Sequence, residues 1–317
     1  MKKLLISAAI LVASTSMASA YTAQSLLHEF NNIVLNNLDA SAETEGTLYV
    51  GGNISGSGYT VNSDHKPNGD LGGGIAGSLV VGGNVQNVLN FQFGDAQIGG
   101  AITGTLNNNG GGTINTGVAG IPTAAIANLL QMLSMELATN PTTPGGIANT
   151  GDPNLVSFAS GAGDADMIQF FNISSAVLSG GNITDITSPA GVTTIINVSG
   201  ANPTVGINAN NNSNKGDVLF NFYEATSLTI NTTFNYSILA PKATVTLNGG
   251  GMFATLVSYN LDQNAEVRPY NGTSLTDFGA FNGSLPTVEP TATPVPGALA
   301  LILGGIAGIT VLARRKA

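Results

Sequence analysis

The sequence predicts a mainly β protein, built as a solenoid of stacked coils with one flanking α-helix. Three observations predict this fold class. From Thr47 onward, short β-prone runs alternate with Gly and Asn turns. A strand-Gly-Gly-Asn-strand unit recurs along the chain, which is typical of repeat architectures. One segment, residues 122–139, has the composition of a long amphipathic helix.

The repeat is clearest in residues 48–54 (LYVGGNI) and in residues 79–85 (LVVGGNV), 31 positions further on. Weaker copies occur at residues 98–102 and 179–183. Such units suggest coils that turn a corner at the glycines, because Gly adopts positive φ freely and Asn tolerates it. We expect small or branched aliphatic side chains inside the coils and ladders of equivalent Asn or Thr residues.

The predicted helix starts after Pro122 and ends before Pro141. Five residues at helical spacing form its apolar face: Ile126, Leu129, Leu130, Leu133 and Leu137. We expect this face to pack along the side of the solenoid, with the helix methionines as core filler. Residues 21–37 form either a short helix or an extended capping segment. Further strands are predicted at residues 167–173, 193–198, 218–222, 228–230, 236–239 and 244–247.

The first 20 residues predict a secretory signal peptide. Met-Lys-Lys is followed by an apolar run and by the small residues Ala18-Ser19-Ala20. This order predicts cleavage by signal peptidase after Ala20, so that the mature chain starts at Tyr21. The alternative is a buried N-terminal helix.

The other end predicts a transmembrane helix. Residues 297–313 are apolar apart from Thr310, and a run of this length just crosses a hydrocarbon core about 30 Å thick. The basic residues Arg314, Arg315 and Lys316 follow and would stay on the cytoplasmic side. Residues 284–296 are rich in Pro and Thr and predict an extended stalk. The tail could be a permanent anchor or a sorting signal that is removed.

The tail resembles the PEP-CTERM sorting signal of Gram-negative bacteria. Pro294-Val295-Pro296, a short apolar helix and the terminal basic cluster stand in the order of that signal, with Val295 where Glu is usual. The resemblance implies an inner-membrane intermediate, cleavage near the Pro motif by an exosortase, and delivery to the cell surface or the extracellular matrix.

Net charge and the lack of cysteine limit the kinds of ligand and of chemical site that the protein can have. Between the terminal segments, four basic residues face 18 acidic ones, a net charge of −14. Such a surface repels nucleic acid and anionic lipids and suits divalent cations and neutral glycans. The chain has no Cys, which excludes thiol nucleophiles and Cys metal sites, and its stability must come from an ordinary core.

Few residues suggest chemistry. Asp164 and Asp166 pair two carboxylates in a Gly-Asp-x-Asp segment, which makes them a calcium candidate, with a solvated turn as the alternative. His28 and His65 have no motif partner, and we expect structural or solvent roles for them. No other cofactor and no catalytic residue is predicted, so we expect the protein not to be an enzyme.

The body of the chain resembles the choice-of-anchor A domain, an adhesive domain of bacterial surface proteins. Residues 30–34 (FNNIV) and 45–53 (EGTLYVGGN) carry the first part of the resemblance, and residues 238–245 (ILAPKATV) and 249–251 (GGG) the second. It implies a right-handed parallel β-helix with a flanking helix over residues 21–283, and no known catalytic residues. At residues 253–255 (FAT) the chain lacks the Gly-rich step that relatives often have. The resemblance therefore does not define where the last coil ends.

These observations favour an exported, non-enzymatic adhesin or biofilm matrix component that binds extracellular polysaccharide or another surface ligand. Binding would use Asn, Thr and aromatic groups such as Tyr49, Tyr59 and Tyr223. One alternative is an ice-binding β-solenoid, although its threonines look irregular: Thr193, Thr229, Thr244 and Thr246. The other alternative is a polysaccharide-active β-helix enzyme.

Overall fold

The computed structural model describes residues 21–164, 166–209, 215–270 and 278–288. The predicted signal peptide with Ala18 and Ala20, and the sorting motif with its apolar tail, lie outside the described residues. No helix in the described ranges is long and apolar enough to cross a membrane.

The described residues form two α-helices and a series of short strands. The helices are α1 (Ala23–Glu29) and α2 (Thr123–Ala138). The strands before α2 are β1 (Asn32–Val34), β2 (Leu38–Ala40), β3 (Leu48–Val50), β4 (Ile54–Gly56), β5 (Tyr59–Val61), β6 (Gly69–Asp70), β7 (Ala76–Gly77), β8 (Leu79–Val81), β9 (Val88–Phe91), β10 (Ala96–Ile98), β11 (Thr105–Asn108) and β12 (Ile114–Thr116). The strands after α2 are β13 (Ile147–Asn149), β14 (Val156–Ala159), β15 (Ile168–Ser174), β16 (Ile183–Thr187), β17 (Thr193–Ser199), β18 (Thr204–Val205), β19 (Val218–Asn221), β20 (Ser227–Ile230), β21 (Ser237–Leu247), β22 (Met252–Phe253), β23 (Leu256–Gln263) and β24 (Val267–Arg268).

The prediction of a mainly β fold is confirmed, and the strands pair mostly in parallel. One large sheet has the order β12-β10-β8-β3-β1-β23-β21-β19-β17-β15, and smaller sheets such as β5-β9-β11 lie beside it. Successive strands of the chain belong to different ladders, so the chain winds in coils, an arrangement consistent with a β-solenoid. Among the described residues, only β6–β7 and β13–β14 pair antiparallel.

The coils do not stack in the order of the sequence. β1 lies in the middle of the large sheet, between β3 and β23. The chain builds coils outward from β1 to β12, passes through α2 and resumes at the far end with β15. It then returns coil by coil until β23 pairs with β1. The departure at residues 253–255 therefore precedes a central coil and not a terminal one.

Three of the four predicted copies of the repeat are stacked as expected, whereas the copy at residues 179–183 lies in the second half of the chain, where Asn182 bridges to Asn208. Leu48 pairs with Leu79 and Val50 with Val81, and β8 pairs in the same register with β10. The spacing of 31 residues is longer than one coil because the hairpin β6–β7 is inserted in it. An Asn ladder joins these corners, since the side-chain oxygen of Asn53 accepts from the backbone N–H of Asn84 at 2.8 Å.

The reason for the corner glycines differs from the prediction. Gly51, Gly52, Gly82 and Gly83 do not have positive φ; Gly250 and Gly251 do. At the first four positions, glycine is required because a larger side chain would clash with the neighbouring coil. A Cβ on Gly52 would lie 2.7 Å from the carbonyl oxygen of Asn36 in the neighbouring coil, closer than non-bonded atoms approach.

The apolar core has two parts. Inside the coils, aliphatic and aromatic side chains from the large sheet and from the smaller sheets beside it form one buried cluster. Outside the large sheet, α2 buries its five predicted residues against Leu219, Leu239 and Val257, and α1 packs into the same cluster. Two helices therefore cover this side: α2, as predicted, and α1, the short helix that was one of the two alternatives for residues 21–37. Met135 is 49% exposed and not core filler.

The predicted strands after α2 are confirmed, with one merger. The segments at 236–239 and 244–247 form a single strand, β21, whose pairing register with β23 shifts between Ala240 and Thr244. The first half of β21 lies under α2, and the second half continues onto another side of the coil.

Candidate binding face

One side of the coils carries a polar surface on six neighbouring strands in the order β4-β2-β23-β21-β20-β18. The second halves of β21 and β23 supply its centre, and all its pairs are parallel. Alternation along each strand points one residue inward and the next outward. The inward residues form the buried column Leu228, Val245, Leu261, Leu38 and Ile54.

The outward residues form a central row in register. It comprises Thr204, Thr229, Thr246, Asp262, Asp39 and Ser55. Neighbours in the row lie on adjacent strands, about 4.8 Å apart. Because the side chains opposite them are fixed in the core, this row is held on a rigid support.

Two further rows flank the central one and are tied by hydrogen bonds. On one side lie Ser227, Thr244 and Asn260, and Asn260 Nδ2 donates to Thr244 Oγ1 at 3.3 Å. On the other side lie Asn231, Asn248, Asn264 and Ser41. Asn248 Nδ2 donates to Asn231 Oδ1 at 3.2 Å, and Ser41 Oγ donates to Asn264 Oδ1 at 2.9 Å. We call these three rows the polar face.

The polar face corrects the view that the threonines are irregular. Thr229, Thr244 and Thr246 meet on it, joined by Thr204, whereas Thr193 is buried. Reasoning from sequence also missed Asp39 and Asp262, which pair in register and are both exposed. The signal was present as the alternation of polar and apolar residues within each strand.

Two of the predicted aromatic contacts are wrong. Tyr49 and Tyr59 are buried, and burial raises the pKa of both hydroxyls well above the usual range. The Tyr59 hydroxyl lies 2.6 Å from Thr44 Oγ1 inside the coil. Tyr223 is partly exposed, so it alone of the three can meet a ligand.

Asp164 and Asp166 lie in an exposed turn. Asp164 Oδ1 accepts from the backbone N–H groups of Asp166 and Ile168, each at 2.9 Å. One oxygen of the pair therefore holds the turn, and calcium binding there stays a prediction. The histidines have structural contacts, as His28 Nε2 lies 2.9 Å from Gly283 O and the His65 ring stacks on Phe93.

Three carboxylates, from Glu43, Glu45 and Glu266, converge elsewhere on the described part of the chain. Arg268 forms ion pairs with Glu45, at 2.8 Å, and with Glu266. Burial raises the pKa of Glu45, and the hydrogen bond and charge of Arg268 oppose that rise. Arg268 thus supplies the positive charge that this cluster needs.

Comparison with known proteins supports an adhesive role. Residues 23–269 match the family described as "Putative Ice-binding-like adhesive domain". This range includes every strand of the polar face. No solved structure and no protein with a curated description matches the chain.

Proposed function

The chain belongs to this family of ice-binding-like adhesive domains, and from that premise we propose that it is a surface adhesin that binds extracellular polysaccharide through the polar face. The observation that carries the proposal is the alignment of hydroxyl, amide and carboxylate side chains in a central row across six strands, with a shorter row on each side of it. Repeated weak contacts to a repeating ligand add through effective concentration.

The proposed route to the surface follows from the two ends of the chain. Signal peptidase cleaves after Ala20, an exosortase processes the tail at Pro294-Val295-Pro296, and the product reaches the surface or the biofilm matrix of a Gram-negative bacterium. In this proposal residues 21–283 form a right-handed choice-of-anchor A β-helix. Residues 284–296 are the expected stalk; because Ser284 and Leu285 are bonded to the body, we place the start of the stalk after them. The mass of the mature protein tests both cleavage sites, and a mature chain that retains residues 1–20 or 297–317 would contradict the route.

We further propose that the protein has no catalytic activity and needs no cofactor. The support is the pairing of Glu45 and Glu266 with Arg268, which occupies the three-carboxylate cluster. Glycan turnover by the purified protein, lost on a single carboxylate substitution, would favour the polysaccharide-active alternative instead.

The binding test uses matched substitutions on two sides of the same coils. Thr229→Tyr and Thr246→Tyr place a bulky ring in the central row and should weaken binding to matrix polysaccharide roughly tenfold. Thr60→Tyr, on β5 and away from the polar face, should leave the affinity unchanged. Equal affinity for all three variants would contradict the proposal.

A second candidate is ice binding, favoured by the in-register row Thr204, Thr229 and Thr246 with Ser227 and Thr244 beside it. The row continues into Asp262 and Asp39, whose charges hold their own hydration water and interrupt a regular hydroxyl array. Thermal hysteresis in a solution of the purified protein, abolished by Thr229→Tyr, would establish this function. A solution without thermal hysteresis would rule out ice binding.

A further inference from the structure

The two ends of the coil stack differ. At one end the large sheet stops at β12, which pairs only with β10, and the small sheet stops at β11, which pairs only with β9, among the described residues. On the third side the last contact is the bridge from Ile102 to Val85. We call this end, formed by Ile102, β11 and β12, the open end.

Within the described residues, the core of the coils reaches the open end with no further strand over it. Each side of the last coil contributes one partly buried aliphatic side chain, Ile102, Leu106 and Ile114, that packs against the inner cluster. Repeat proteins ordinarily finish in a polar capping unit. Here the stack finishes in three aliphatic side chains and two strand edges.

The residues of the last coil carry no charge of their own, and the nearest carboxylate, Asp95 of the preceding coil, accepts from the N–H of Thr113. Between Asp95 and Glu136 the chain contains no Asp, Glu, Lys or Arg, although the protein as a whole is acidic, with a net charge of −9. Proteins ordinarily protect a free strand edge with lysines, prolines or a covering segment. β11 and β12 contain neither lysine nor proline, and in the described part of the chain no further strand pairs with their outer edges.

The opposite end is covered by the chain itself. The N–H of Thr143 donates to Phe170 O at 3.0 Å, and Gln169 Nε2 donates to Thr143 O at 3.0 Å, so this segment lies on the edge of β15. β13 pairs antiparallel with β14 beside it. Within the described residues, this end therefore carries an added segment on the edge of the large sheet, whereas no such segment pairs with the outer edges of β11 and β12.

We propose that the open end binds the open end of a second copy of this chain. The strand edges and the three aliphatic side chains lie on three sides of one coil. A single extended peptide could pair with only one edge, whereas a second copy presents the same set. A two-fold axis makes such a contact self-complementary, brings the edge strands together in antiparallel fashion, and opposes two coils that have no charged residue of their own.

The first test measures association of the mature protein isolated from bacteria that express the full chain. Sedimentation velocity over a range of concentrations should show a monomer–dimer equilibrium. Ile114→Lys should raise the dimer Kd at least about tenfold by placing a charge in the contact. Ile147→Lys, at a residue that is 60% exposed at the covered end, is the matched control and should leave the Kd unchanged.

The second test uses the lack of cysteine in the chain. Thr116→Cys in β12 places one thiol at the open end, and Ala148→Cys in β13 places one at the covered end; both positions are exposed. Mild oxidation should convert the first variant, and not the second, into a covalent dimer. If Ile114→Lys fails to fold, Asn107→Lys on the exposed side of β11 takes its place.

Three results would overturn the proposal. One is a protein that stays monomeric at every concentration. Another is a dimer that neither lysine variant weakens. The third is a monomer in which the Thr116→Cys thiol resists a maleimide reagent, because the chain's own tail would then cover the open end.

Discussion

Asparagine side chains supply many of the hydrogen bonds between coils. Under α2 they form a row, in which Asn221 Nδ2 donates to Asn197 Oδ1 at 2.9 Å and Asn197 Nδ2 donates to Asn172 Oδ1 at 3.1 Å. Asn221 also exchanges two hydrogen bonds with Ser134 of the helix, to its backbone oxygen at 2.8 Å and from its hydroxyl at 2.6 Å. The same side chains therefore join coil to coil and coil to helix.

Asn221→Ala should lower the free energy of unfolding by about 2–3 kcal/mol, because it leaves buried polar groups of Ser134 and Asn197 without partners. The control is Asn248→Ala, which breaks an exposed amide pair of the polar face and should change stability by less than about 0.5 kcal/mol. Urea denaturation of the two variants measures the difference, and equal losses would contradict it.

Asp95 makes stability depend on pH. Hydrogen bonds from the Thr113 N–H, at 2.7 Å, and from Asn68 Nδ2, at 2.7 Å, lower the pKa of this carboxyl against the opposing effect of its burial. Stabilisation by a carboxylate with a lowered pKa is present above the unfolded-state pKa, about 3.9, and is lost as pH falls through the folded-state pKa. Asp95→Asn should therefore destabilise at pH 6 and much less near pH 2. Unfolding curves across this range measure the convergence, and a constant difference would contradict it.

At the scale of elements, the spacing between coils is set by glycines at the corners. A Cβ on Gly82 would collide with the carbonyl oxygen of Gly51 and lie 2.5 Å from Cγ2 of Thr123, at the start of α2. The neighbouring coil and α2 thus contact Gly82 from two sides. The helix can lie close to the sheet because Gly82 has no side chain.

Gly82→Ala should cost about 1–3 kcal/mol, since backbone atoms must move to admit the methyl group. Gly58→Ala is the control, because a Cβ there meets nothing within 4 Å and its φ is not positive. That substitution should be neutral or slightly stabilising. Thermal unfolding of both variants tests the pair, and a small effect at Gly82 would show that the corner can widen.

The sequence predicts the elements well because their signals are local. The apolar face of α2, the Gly-Gly-Asn corners and most strands after α2 could be identified from spacing alone. The partner of each strand could not be, because the strands carry similar aliphatic patterns and β1 pairs with β23 across more than 200 residues. The polar face was hidden for a related reason. Thr204, Thr229, Thr246 and Asp262 are neighbours although 25, 17 and 16 residues separate them, since coils differ in length.

At the scale of the whole molecule, the nested order of coils joins the two halves of the chain. β1 contacts β3 of the first half and β23 of the second, and β2 likewise pairs with β4 and β23. Neither half can lose its central coil without exposing the other. Local unfolding should therefore start at the two ends of the coil stack. It should not start at the N-terminal or C-terminal strand of the large sheet, because β1 and β23 both lie in the middle of the stack.

Hydrogen exchange in dilute solution, where the chain is monomeric, should show this order. Amides of β11 and β12 should exchange first, and those of β1, β3, β21 and β23 last, because local opening follows the density of packed contacts. Mass spectrometry of peptic fragments measures the uptake. Protection that declines steadily along the sequence would contradict the nested arrangement.

The segment that follows β24 has a mechanical consequence. Residues 280–285 run across the coils and are bonded in turn to Thr255 before β23, to Gly216 before β19 and to Thr193 in β17, and Leu285 bonds to Gln24 of α1. A pull applied through residue 288 would load several coils at once, in shear, instead of peeling one strand from an end. Detachment of this segment would then require contacts with several coils to break, and not only those with one edge strand.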